Sequence, residues 1–509
     1  MKNRKIYLIN PKNPENFWTM DSSVRAVGVK TLMPNAALAT LVALTPADAG
    51  IEYHYCDENV SPIQWEGDYD LAAVTGFVLH SARIREICAA FRERGVPVAL
   101  GGVYATLYPH DAEQHADHVF IGEAEYTWPR FLSEWAAGKA EKVYKQEEHV
   151  DLTDSPAPDW SHIRGGDYLY FPVQTSKGCP NKCDFCDAIR LVGRRYRMKT
   201  IPQIMTEIGN AFRAGAETVF FSEDNFFVNK AFTVELLNEI IRWNRSVRTP
   251  LSFSAQVTVR VGEDEEILRL MADAKFSVLF LGVESVRPEC LAEVNKGHMA
   301  KVDPYRAVMN ISRYGILPFV GLIVGFDHDD EKTFDELEQF IERTNTPFAS
   351  ISILSAPENT VLYDRLRAQD RISGEFDGKW HFSTNIVQKS MPLHDLLHGH
   401  RSLFRKIYHP ERFERRSLRW LEGIEYLSSH YGKSRMKMSK LMKFFFITWF
   451  YVLHEPGQVR NLYFRFLREA WDINPRHFKK AITIMSQYTH HYDFSMSASW
   501  QGIDESAGD

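Results

Sequence analysis

The chain has little of what marks a secreted, disordered or membrane-spanning protein. Only six of its 509 residues are cysteine, too few and too unevenly spaced for a disulfide scaffold. The longest apolar run, 444–453 (FFFITWFYVL), is about half of the roughly 20 residues that a helical membrane span needs. The first stretch, MKNRKIYLINPKNP, has one short apolar run before Asn10 and Pro11, below the size of a signal-peptide core. A cytoplasmic protein without a transmembrane span is therefore expected. With 29 glycines and 23 prolines no collagen-like repeat is possible, and 44% hydrophobic with 25% charged residues is ordinary for a globular chain of several domains.

What the chain does have is uneven. The net charge is −6, yet residues 401–480 carry 18 Lys and Arg against 7 Asp and Glu. A basic, aromatic segment on an acidic body can meet an anionic partner or a membrane surface. Its charges are spread among apolar residues at helical spacing, which favours solvated helix faces, and nothing argues for nucleic acid.

Residues 1–145 alternate short apolar strands (5–10, 51–56, 71–77, 96–102, 118–123) with helical stretches, the pattern of a doubly wound parallel sheet. A turn-rich linker occupies 146–167. From 168 to 370 a second alternation places strands at 170–178, 217–223, 251–257, 277–285, 318–326 and 348–356, which fits a partial (β/α)6 barrel better than a flat sheet. Residues 371–509 read as mainly helical to 487, with a polar, turn-rich end from Tyr488 and fraying from Gln501. The fold class is α/β, with a Rossmann-like N-terminal domain, the barrel and a helical C-terminal region.

Three cysteines fall in one loop after the first barrel strand: Gly178-Cys179-Pro-Asn-Lys-Cys183-Asp-Phe185-Cys186, a C-x3-C-x2-C spacing. Three thiolates suit an iron–sulfur cluster better than zinc, which wants four ligands; Cys290 or His162 would be the fourth for zinc. The run, on this strand, resembles the radical S-adenosylmethionine (SAM) family. The resemblance implies that Cys179, Cys183 and Cys186 hold a [4Fe–4S] cluster whose open iron chelates SAM, with Phe185 beside the adenine. It further implies SAM contacts at successive strand ends: Glu223 and Asp224 in Ser-Glu-Asp-Asn-Phe, Gln256 and Arg260, Glu284 and Ser285 in Gly-Val-Glu-Ser, and Gly325 in Gly-Leu-Ile-Val-Gly-Phe. Carboxylates accept several hydrogen bonds from an amine or a ribose diol, and Arg forks onto a carboxylate.

In the N-terminal domain, Val98-Ala-Leu-Gly101-Gly102, Pro109 and Gly122-Glu123-Ala-Glu125, with Thr75-Gly76 and Asp57-Glu58-Asn59, resemble cobalamin-binding radical SAM proteins. The resemblance implies cobalamin at Thr75, Gly76, Gly101, Gly102, Pro109, Gly122 and Glu123, where glycine lets backbone approach a bulky corrin. The Asp-x-His-x-x-Gly element of many cobalamin proteins is absent, and a packed or surface role is the favoured reading of His80. The N-terminal half also lacks the three cysteines that a methylthiotransferase would use for a second cluster.

The implied reaction is reductive cleavage of SAM to a 5′-deoxyadenosyl radical and methylation of an unactivated carbon through methylcobalamin. Relatives of the same type that carry out oxidative cyclisation, hydroxylation or rearrangement are the alternative, and a non-catalytic iron–sulfur sensor is the alternative of another class. No side chain is singled out as a catalytic acid or base. A flavodoxin or ferredoxin is the implied electron donor. Aromatics at 444–446, 449–451, 463, 464 and 466 are expected to form a small helical core. Their other reading is an apolar or macrocyclic substrate met at a membrane surface through Lys437, Lys440 and Lys443, an idea also carried by the resemblance of insert 17–33 to that of hopanoid C-2 methylases.

Overall fold

A computed structural model describes residues 3–358, 360–376, 381–428 and 438–497. The chain divides into two compact units, Met1–Thr19 with Lys30–Pro180 and Ala188–Asp224, and Met20–Val29 with Asn181–Asp187 and Asn225–Asp509.

The first unit is built on a six-stranded sheet of β1 (Arg4–Asn10), β2 (Ile51–Asp57), β3 (Leu71–Thr75), β4 (Val98–Gly101), β5 (His118–Ile121) and β6 (Val143–Lys145). Its order is β2-β1-β3-β4-β5-β6 and every pairing is parallel. Side-chain alternation along the strands explains why both faces are covered. Tyr7, Ile9, Ala72, Val74, Val98 and Leu100 enter one core, and Ile6, Leu8, Leu71, Ala73 and Ala99 enter the other. The strand order reverses between β1 and β3, the place where open parallel sheets bind ligands at their carboxyl ends.

The first unit also holds β7 (Phe171–Val173), paired in parallel with β10 (Thr218–Phe221), and a ribbon of β8 (Ser176–Lys177) against β9 (Arg197–Met198). The single strand expected at 170–178 is thus two short strands.

In the second unit β11 (Ser252–Thr258), β12 (Phe276–Glu284), β13 (Leu317–Val324) and β14 (Phe348–Ile353) run parallel in sequence order, each followed by a helix. The free edge of β14 is closed by side chains. Tyr408 Oη donates to Ala349 O at 2.6 Å and accepts from Ala349 N at 3.0 Å, and Arg416 Nε donates to Thr346 O at 2.6 Å. Satisfying these backbone groups removes a pairing template.

Beyond residue 390 the described residues form five α-helices: Leu393–Ile407, Pro410–Glu422, Met438–His454, Gly457–Ile473 and Phe478–Met496. The last one corrects the expectation of a turn-rich end from Tyr488. The segment 488–496 has neither Gly nor Pro, and Tyr488, His491, Tyr492 and Phe494 are buried, so packing carries the helix on. The expected fraying from Gln501 lies outside the described residues. The expected aromatic core is half right: Tyr451, Tyr463 and Phe466 are buried, whereas Phe445, Phe446, Trp449 and Phe464 are exposed. No helix among the described residues is long and apolar enough to cross a membrane.

Candidate active site

The cysteine loop follows β8. Gly178 enters it at φ +95°, and an added Cβ would lie 2.2 Å from Arg195 O, so only glycine lets the chain turn there. Cys179 N donates to Gly193 O at 3.3 Å, and Cys186 N to Cys183 O at 3.2 Å. The second half of the loop is pinned from elsewhere in its unit. Asp184 N donates to Val294 O at 3.0 Å, Leu362 N donates to Asp184 O at 2.9 Å, and Arg365 Nη1 reaches Asp184 Oδ2 at 3.2 Å. Phe185 packs against the core that includes Phe326, Leu354 and Leu362.

The six thiols fall into two kinds. Cys56, Cys88 and Cys290 are buried, and burial pushes Cys88 up to about 12 and raises the other two. A metal ligand must be a thiolate, so these three are poor ligands. Cys179, Cys183 and Cys186 are half-buried in an otherwise irregular loop. Of the fourth ligands considered for zinc, Cys290 Sγ is 3.4 Å from Asp329 Oδ1 and His162 is exposed. Among the described residues no three His, Cys, Asp or Glu side chains converge on a point for one metal ion.

The barrel strand ends present the acidic groups singled out in the sequence, some of them with partners. Past β10, Ser222 and Asp224 are exposed and Glu223 between them is buried. Glu223 accepts from Thr175 Oγ1 at 2.8 Å and from Thr175 N at 3.3 Å; burial pushes its carboxyl up to about 7. Gln256 is exposed within an otherwise covered β11, and Arg260 is exposed in the turn Val259–Glu263.

At the end of β12 the register shifts between Gly282 and Glu284, and Glu284 takes φ +64°. Its Oε1 is 2.5 Å from Lys296 Nζ, with both side chains largely buried. A Cβ on Gly282 would lie 2.7 Å from Glu284 Oε1 and 3.2 Å from Lys296 Nζ, so the Gly-x-Glu spacing makes room for the ion pair. Burial would lower the Lys296 ammonium, but Glu284 and the nearby Cys183 more than reverse it. Ser285 is buried and its Oγ accepts from Arg287 N at 3.1 Å. Gly325, at φ +100°, and Phe326 both donate backbone N–H to Asp329 Oδ2, at 2.8 and 3.0 Å.

Sequence reasoning missed Thr175, Lys296 and Asp329, the partners of these three strand ends. Lys296 lies 12 residues from Glu284. Only the fold joins such pairs.

The first unit contains a cavity of about 380 Å³ at the carboxyl ends of β3, β4 and β5. Thr75, Gly101, Gly102, Gly122 and Glu123 line it, together with Trp128 and, from the segment around β7 and β8, Gln174 and Lys177. Gly102 has φ +87°, and a Cβ there would lie 2.2 Å from Thr75 Oγ1. Gly122 has φ +89°. Gly76 and Pro109 do not line the cavity; Gly76 packs against His80 and Pro109 opens the helix Pro109–His115.

Glu123 binds Lys177 at 3.0 Å, Arg197 at 2.9 Å and Val150 N at 2.8 Å. Burial would raise its carboxyl, but Lys177 and Arg197 hold it below the ordinary range. His80 is buried; its Nδ1 accepts from Phe77 N at 3.0 Å and its Nε2 is 2.8 Å from Asn13 Oδ1. Both ring nitrogens are therefore engaged, and burial lowers the imidazole to about 4.

A parallel barrel carrying a three-cysteine loop after its first strand defines a radical SAM enzyme. A family model described as the radical SAM superfamily matches residues 173–341, and one described as a domain of unknown function (DUF4070) matches 360–502. The hopanoid C-2 methylase of Rhodopseudomonas palustris is 30% identical over 380 residues, 72% of this chain and 71% of the relative. An uncharacterized methyltransferase of Synechocystis sp. is 29% identical over 496 residues, 96% and 91% of the two chains. The chain belongs to the radical SAM superfamily. Among solved structures, the cobalamin-dependent SAM radical enzyme OxsB, with aqua-cobalamin and SAM bound, matches with TM-score 0.62 at 12% identity, covering 100% of this chain and 82% of that one.

Proposed function

We propose that this enzyme uses a [4Fe–4S] cluster, SAM and cobalamin to methylate an unactivated carbon of an apolar or macrocyclic small molecule. The observation that carries the reading is the glycine-floored cavity at the carboxyl ends of β3 to β5, in a chain that also bears the three-cysteine loop. The residues fit both groups. Three half-buried thiols supply the donor set of a cluster with one open iron, and a Cβ at Gly102 would obstruct the cavity wall.

When bound, the cluster and SAM supply one-electron chemistry and the corrin a transferable methyl group. The chain's own residues bind and orient. Cys179, Cys183 and Cys186 ligate iron, and Phe185 offers an apolar surface beside them. Glu284, held by Lys296, presents a fixed acceptor to the ribose hydroxyls. Asp224, exposed past β10, faces the amine more readily than Glu223, which is tied to Thr175. Gln256 and Arg260 are the exposed groups for the carboxylate, and Gly325 and Ser285 shape the strand ends. Both ring nitrogens of His80 are engaged by Phe77 and Asn13, so that side chain would not be among the residues holding the corrin.

The reading includes a cytoplasmic setting and an acidic single-electron donor of the flavodoxin or ferredoxin type. Apolar substrates of this kind partition into bilayers, so it also includes peripheral contact with a lipid surface.

The test is anaerobic protein reconstituted with iron, sulfide and hydroxocobalamin, then given dithionite and methyl-labelled SAM. About four irons and one cobalamin per chain, with 5′-deoxyadenosine and label on the corrin, are expected. Iron and SAM cleavage without bound corrin would remove the methyl-transfer reading.

A further inference from the structure

The helix Met438–His454 is apolar on two opposite faces. Ile447 and Tyr451 point inward: Tyr451 stacks on Tyr463 at 4.1 Å between ring centroids, and its Oη donates to Met485 O at 2.6 Å. Met442, Phe445, Phe446, Trp449 and Leu453 are each between 51% and 63% exposed. Their spacing, i, i+3, i+4, i+7 and i+11, puts all five on one outer stripe. A helix that is apolar all round needs apolar surroundings on both sides. Among the described residues one side is covered by protein and the other is not.

Charge decides what the uncovered side meets. The helix contains Lys440 and Lys443 and no Asp or Glu. The next helix, Gly457–Ile473, exposes Phe464 and Trp471 together with Arg460 and Arg468, against one exposed acid, Asp472. A second copy docked on this stripe would bring like charges together. An anionic bilayer would attract them and accept Phe, Trp, Met and Leu at the boundary between headgroups and acyl chains. The helix has 17 residues and does not qualify as a span, so it would lie in the interface plane.

We propose that the outer stripe Met442–Phe445–Phe446–Trp449–Leu453 is a docking surface for an anionic lipid bilayer. The proposal rests on the apolar-substrate reading only for its purpose, since adsorption needs no substrate.

The test is co-sedimentation of the full-length reconstituted protein with vesicles of phosphatidylcholine, with and without phosphatidylglycerol, at low and high salt. Binding to the anionic vesicles, weakened by salt, is expected. The double variant Phe445→Ser/Trp449→Ser should bind at least about tenfold more weakly, while Met309→Ser, an exposed apolar residue on the helix Pro304–Arg313, should bind like the wild type. Equal binding by the double variant, or no binding by the wild type, would overturn the proposal. So would a wild-type dimer that becomes monomeric in the double variant, because the stripe would then serve a second copy. Release of 5′-deoxyadenosine without vesicles, followed in the same preparations, should be unchanged; its loss in wild type would count against the catalytic reading, not against docking.

Discussion

The strand ends of the N-terminal sheet and those of the barrel are finished in opposite ways. In the first, the chain ends β4 and β5 with Gly101, Gly102 and Gly122, two of them at positive φ, and leaves a cavity with small residues at the strand ends and larger ones such as Phe120, Trp128 and Lys177 around them. In the second, β12 is finished by a carboxylate fixed by a lysine, and the turn after β13 by a glycine whose N–H is held by Asp329. A large, rigid ligand is best received by removed side chains, which cost no rotamer entropy. A small zwitterion needs few polar groups already aimed, and partners such as Lys296 keep those groups in place.

The largest effect should come from the cysteine loop. Cys179→Ala should lose iron and reduce SAM cleavage to background, whereas Cys290→Ala should keep its iron; iron assay and 5′-deoxyadenosine release check both. Gly102→Val comes next. Its side chain starts 2.2 Å from Thr75 Oγ1 on a backbone with φ +87°. Bound cobalamin should fall about tenfold or more with iron retained, given backbone strain of roughly 1–3 kcal/mol plus the obstruction. The corrin absorbance measures it. Equal loss of both groups would erase the contrast between the two kinds of strand end.

Lys296→Met should leave the Glu284 carboxylate without its cation, at about 3–5 kcal/mol in stability. It should also weaken SAM binding with little change in cobalamin. Urea denaturation and equilibrium SAM binding read the two effects, and Lys296→Arg should restore part of each. The smallest effect concerns Glu223. Its carboxyl sits at about 7 when folded, against an ordinary 4.5. The unfolded chain releases that proton first, so the stability is whole below about pH 4.5 and is lost as pH rises through about 7. Glu223→Gln should match the wild type near pH 4.5 and exceed it by roughly 3 kcal/mol at pH 8. Denaturation at the two pH values in the metal-free protein would show it, and a constant difference would exclude the titration.

The parallel alternation, the cysteine loop and the strand-end glycines were legible because period-2 apolar runs and Gly clusters are local signals. Five of the seven residues proposed for the corrin line one cavity. Gly76 and Pro109 lie outside it, and turn chemistry and ligand approach draw on the same residue types. Lys296, Thr175 and Asp329 could not be paired with the strand ends from sequence, since their contacts are tertiary. The aromatic helix Met438–His454 defeated pattern reasoning for another reason. A stripe on each face looks the same as one thick core until burial separates Tyr451 from Trp449.

The most direct test of the division between the two kinds of strand end is anomalous diffraction at the iron and cobalt edges from crystals of the reconstituted protein. Iron is predicted at Cys179, Cys183 and Cys186, and cobalt in the cavity bounded by Thr75, Gly102 and Gly122. Cobalt located anywhere else, in crystals shown to contain cobalamin, would contradict it.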